Sequence, residues 1–70
     1  MQYETKRQRV TKYLRFLFNA LKENGRTGSF KGIVANASLE LGVSEKDIEP
    51  VIHTFEHANI IEIDGDDIVV

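Results

Sequence analysis

Apolar residues recur at three- and four-residue steps through the first third of the chain: Val10, Tyr13, Leu14, Leu17, Phe18, Ala20 and Leu21. That spacing puts them on one wide stripe of an amphipathic helix. Gln8, Lys12, Arg15, Asn19 and Lys22 form the opposite face, with three positive charges and no acid. Phe16 falls at the margin of the stripe, a position for a second contact or for a partner. The helix is expected from Thr5 to Asn24, closed by Gly25, which suits a left-handed cap.

Arg26 to Phe30 reads as a connector that could lend one or two residues to a sheet edge. A second helix is expected from Phe30 to Leu41, with Ile33, Val34, Ala37 and Leu41 inward and Gly42 as its stop. The third helix has two possible starts. Ser44-Glu45-Lys46-Asp47 matches a capping pattern, but a start there puts Pro50 near the sixth helical position, where proline loses a hydrogen bond and clashes. Asp47 is therefore the expected cap, with Pro50 in the first turn and Ile48, Val51, Ile52, Phe55 and Ala58 buried. Ile61-Glu62-Ile63, then Asp64-Gly65-Asp66-Asp67, then Ile68-Val69-Val70 reads as a hairpin. A lone hairpin is marginal, so its isoleucines should pack on the helices. The expected core is Val10, Leu14, Leu17, Leu21, Ile33, Val34, Leu41, Ile48, Val51, Ile52, Phe55, Ile61, Ile63 and Ile68.

Seventy residues make a single domain over 1–70, near the lower limit for folding alone. With 41% hydrophobic and 29% charged residues the composition is globular, and the absence of cysteine excludes a disulfide framework or a thiolate metal site. No apolar run approaches a membrane span and no leader is recognisable, so a cytoplasmic address is expected. So small a core leaves little room for an enclosed active site. The net charge of −2 conceals a division along the chain. Residues 1–35 hold eight basic side chains against two acids, a net +6, and residues 36–70 hold one against nine, a net −8. Such asymmetry suggests a polyanion partner, a basic partner or self-association.

In this order, the elements resemble the winged helix-turn-helix family. The resemblance rests on Ile33-Val34-x-x-Ala37, on Leu41-Gly42-Val43-Ser44 at the turn, on Ile48, Val51 and Phe55 in the third helix, and on Asn59-Ile60-Ile61 leading to the wing. It covers residues 30–70 directly, with the first helix as support. It implies an α+β fold of three helices and a C-terminal β-hairpin wing, with the third helix entering the major groove of duplex DNA. The implied function is a small transcriptional regulator that binds DNA weakly or as a dimer. Arg26, Lys31, Lys12, Arg15 and Lys22 are the candidate phosphate ligands, and Ser44, Lys46, His53 and Thr54 the candidate groove-facing residues.

Two features depart from a DNA reader. The third helix exposes no arginine and only Lys46, beside Glu49 and Glu56, and the wing tip holds Asp64, Asp66 and Asp67 where phosphate contact needs cations. The competing reading is a protein-contact module that docks on a basic partner, or on another copy, through Glu49, Glu56, His57, Asp64, Asp66 and Asp67. Winged helices serve both purposes. Glu49, His53 and His57 share a helical face, but the first and last lie about 12 Å apart along the axis, too far to ligate one metal together. No phosphate loop or catalytic constellation is present, so neither enzymatic activity, a cofactor nor a small-molecule substrate is expected.

Overall fold

A threonine followed three positions later by glutamine opens the first helix. In the computed structural model, which describes residues 3–25 and 27–70, the Thr5 hydroxyl accepts from the Gln8 amide at 3.1 Å. The Gln8 side chain accepts from the Thr5 amide at 2.8 Å in return. This reciprocal box satisfies two amides that a helix start leaves unpaired, and it begins α1, Lys6–Glu23. Asn24 caps the far end and Gly25 follows at φ +60°.

The connector contributes β1, Gly28–Ser29, and α2, Phe30–Leu41, starts directly from it. Gly42 closes α2 at φ +62°, and the Val43 amide reaches back to the Ser38 carbonyl at 3.3 Å, as in a Schellman cap. The Ser38 hydroxyl donates to the Val43 carbonyl at 2.6 Å, so one serine holds both sides of the turn.

The third helix, α3, spans Glu45–His57 and starts from Ser44, not from Asp47 as expected. Ser44 accepts the Lys46 amide on its side chain and the Asp47 amide on its carbonyl at 2.9 Å. The early start places Glu45 and Asp47 at the positive end of the helix dipole. Pro50 is then internal, at a cost of about 3 kcal/mol. Pro50 and Lys46 are both exposed, so water can take the Lys46 carbonyl that proline cannot serve. The Ser44 cap and the two acids of the first turn offset part of the loss, while burial of Ile48, Val51, Ile52 and Phe55 holds the helix in place whichever residue begins it. Ala58 caps this helix and is exposed, outside the buried stripe where the spacing puts it.

Strands β2, Glu62–Asp64, and β3, Asp67–Val69, flank a two-residue turn with Gly65 at φ +61°. A positive φ at the first turn position is what a type II′ hairpin requires. The connector does lend its two residues: β1 pairs with β3, giving an antiparallel sheet of order β1-β3-β2. The whole is a small α+β fold of winged-helix-like arrangement, α1-β1-α2-α3-β2-β3. Among the described residues no helix is long and apolar enough to cross a membrane.

The core joins all three helices to the sheet through Val10, Leu14, Phe18, Ile33, Val34, Ala37, Val43, Ile48, Val51, Ile52, Phe55, Ile61 and Ile68. Leu17, Leu21, Leu41 and Ile63, expected within it, are only partly buried and pack against its edge. Phe18 takes the central place instead, edge-on to Phe55 with ring centroids 5.2 Å apart. Val43 joins the core because the Ser38 bond turns it inward between α2 and α3.

Candidate nucleic-acid interface

The outward side of α3 follows from its buried stripe. Lys46, Pro50, His53 and His57, at steps of four, three and four, form the opposite line, and all are exposed. Lys46 is the one lysine or arginine of that line. Of the other groove-facing candidates, Ser44 spends its hydroxyl on the Lys46 amide as the helix cap. Thr54 is turned toward α1, accepting from Arg7 Nη2 at 3.3 Å while donating to the Pro50 carbonyl at 3.0 Å.

One edge of α3 is basic because α1 lies beside it. Lys6 Nζ is 3.2 Å from Asp47 Oδ2 at the start of α3, Arg7 reaches Thr54 in its second half, and Arg15 lines a groove with Ala58 and Ile60 beyond. The floor of that groove is Val51 and Phe55. Arg9 caps the other helix of the turn, donating to the Leu41 carbonyl at 3.1 Å, where α2 leaves its last carbonyls unpaired. Lys6, Arg7 and Arg9 were not among the candidates read from sequence. Their partners lie 32 to 47 positions away, so only the Thr5–Gln8 box marked where the basic turn begins.

The remaining basic candidates are scattered. Lys12 pairs with Glu4 on the exposed side of α1, and Lys22 lies in its last turn. Lys31 stands in the first turn of α2, far along the chain from α3 but beside the hairpin turn. Arg26 lies outside the described residues.

The opposite edge of α3 is acidic. His53 Nδ1 lies 3.2 Å from Glu56 Oε1, and its ring tilts against Phe30 with centroids 5.6 Å apart. Glu56 continues into a hollow lined by Asn59, Ile61, Glu62, Ile63 and Asp64. Glu49 and His57 are exposed nearby on the same helix. Among the described residues no three histidine or carboxylate side chains gather as metal ligands.

The hairpin turn is exposed and leans on the start of α2. Asp66 accepts the Phe30 amide on its carbonyl at 2.6 Å, the Lys31 amide on Oδ1 at 3.1 Å and the Ser29 hydroxyl on Oδ2 at 2.6 Å. Ser29 Oγ in turn accepts the Gly32 amide at 3.1 Å. Three first-turn amides of α2 thus find partners, two of them on the wing. The Ser29 hydroxyl, then the Lys31 amide, holds the Asp66 carboxyl below its usual value; desolvation opposes them, and the Lys31 charge adds the least. Asp64 and Asp67 pair across the hairpin and remain exposed. Against known proteins, the chain gives no significant match to any family model, curated protein or solved structure.

Proposed function

We propose that this chain is a small DNA-associated regulator that docks α3 against a duplex with the basic edge of α1 beside it. The observation that carries this reading is the pair Arg7 and Arg15 along the second half of α3 and just past its end, with Lys6 held by Asp47 at its start. Phosphate contact needs cations in register with the inserted helix, and α3 brings only Lys46. Arg7 and Arg15 supply the flanking charge, and Lys46 and His53 are the side chains left to meet base edges. Lys12, Lys22 and Lys31 add charge at greater distance. Asp66 turns its carboxylate onto α2, which removes one of three wing acids from the approaching phosphates. The reading goes with a cytoplasmic address and with weak, salt-sensitive binding, given a net charge of −2.

The test is fluorescence anisotropy with random-sequence duplex at low and physiological salt. Arg7→Gln and Arg15→Gln should each weaken binding uniformly across sequences and lower the salt slope by about one. Absence of binding at low salt overturns the proposal.

A second reading has its own observation: Glu56, Glu62 and Asp64 rim a hollow in which Ile61 and Ile63 also lie. An acidic rim around apolar side chains fits a basic segment of a protein partner. Glu49→Lys with Glu56→Lys separates the two. The pair of reversals strengthens duplex binding in the first reading and abolishes partner binding in the second.

A further inference from the structure

The outward face of α1 carries a pattern that neither the core nor the α3 edge uses. Phe16 is 74% exposed in the middle of the helix, and Arg9 and Glu23 stand seven positions before and after it, both exposed. Seven residues are nearly two turns, so the three share one line about 21 Å long. Tyr13 and Ala20, half-buried, flank Phe16 one turn to either side. Next to this line runs the groove between α1 and α2, lined by Tyr13, Leu17, Gly32, Ile33 and Asn36 among others. Leu39, 83% exposed, lies on the same face of α2 as Gly32 and Asn36. Neither Phe16 nor Leu39 lines the groove itself, but each stands on the helix face next to residues that do.

We propose that this face binds a second copy of the chain, with the two α1 helices antiparallel about a two-fold axis through Phe16. Charge fixes both the partner and the direction. An antiparallel pair sets Arg9 against the partner's Glu23 at each end, with the two Phe16 rings between them. A parallel pair sets Arg9 on Arg9 and Glu23 on Glu23, which repels. The arrangement is isologous and closes as a dimer, unlike a head-to-tail contact between the basic and acidic halves. Around α1 from Phe16, Arg7 is about 180° away, Thr11 about 140° and Arg15 about 100°, so the dimer leaves α3 and its basic edge open. The inference does not depend on whether that edge meets DNA.

Sedimentation equilibrium of the full chain over a concentration series tests it, with circular dichroism to verify the fold of each variant. A reversible monomer–dimer equilibrium is expected, with Phe16→Asp and Glu23→Arg each weakening it roughly tenfold or more. Glu23→Arg is the cleaner probe, because a cation at the end of α1 suits the helix dipole and keeps the Arg9–Leu41 bond. Arg9→Glu combined with Glu23→Arg exchanges both charges and should restore the dimer. A chain monomeric up to about 1 mM, a mass that keeps growing with concentration, or a dimer indifferent to these reversals overturns the proposal.

Discussion

Ser29 donates its hydroxyl to Asp66 Oδ2 at 2.6 Å, joining the cap of α2 to the turn of a hairpin 37 positions later. The wing and the second helix are thereby one hydrogen-bonded unit, and its strength depends on a carboxylate. The Ser29 hydroxyl and the Lys31 amide favour the charged form, so the folded state holds the Asp66 carboxyl below its ordinary value. That stability is fully present above the ordinary carboxylate range. It is lost as pH falls through that range and past the lowered folded value. Thermal melting from neutral to acid pH should show a steeper loss for the wild type than for Asp66→Asn. Parallel curves would mean that the bond does not contribute.

Gly28 marks a close approach of β1 to α2. A Cβ there would stand 2.7 Å from Ile33 Cδ1, within contact distance. Gly28→Ala should destabilise the fold by about 1 kcal/mol, the low end of overpacking, because the atom that must shift is the end of a side chain. Ile33→Val removes the obstructing methyl, so the alanine should cost less in that background. Urea unfolding of the four-member cycle measures the difference.

Phe18 is 1% exposed and meets Phe55 edge-on at the centre of the core. Phe18→Ala should cost about 3–5 kcal/mol. That is comparable with the whole stability of a domain near the lower end of about 5–15 kcal/mol. The variant is expected to be largely unfolded at 25 °C by circular dichroism, with Phe18→Leu remaining folded at a lower urea midpoint.

Pro50 leaves the Lys46 carbonyl without a helical partner on the exposed side of α3. Pro50→Ala restores that bond without touching the core. It should raise stability by about 1–2 kcal/mol, less than the full helix penalty because proline also restricts the unfolded chain. An unchanged or lower urea midpoint would show that the ring contributes something that alanine does not.

The parts legible from sequence were those set by neighbours in the chain. The second helix runs from Phe30 to Leu41 as its apolar spacing and Gly42 indicate, and Thr5, Asn24 and Gly25 mark the first. The hairpin and its inward Ile61 and Ile68 were equally local. The start of α3 was misread because Pro50 outweighs Ser44 in a local accounting, whereas in the fold Ser44 caps the helix and Pro50 lies on the exposed side, where water can take the carbonyl it leaves. Spacing puts Phe18 on the stripe with Leu17 and Leu21, but which of them enters the centre depends on Phe55 meeting it from another helix. The same holds for the candidate interface. Lys46 and His53 could be placed on the outer face of α3 by counting. That Arg7 lies beside Thr54, or that Asp66 bonds to the start of α2, depends on contacts across most of the chain.

The order of strands, β1-β3-β2, puts residues 67–69 in the middle of the sheet. A nascent chain grown as far as Asp64 contains all three helical segments and two of the three strands, yet not one strand pair, since β1 and β2 each bond only to β3. It also lacks Asp66, so the start of α2 is still uncapped on two amides. Synthesis of β3 therefore completes the sheet, adds Ile68 to a core otherwise drawn from earlier residues, and follows directly on the residue that secures the start of the second helix.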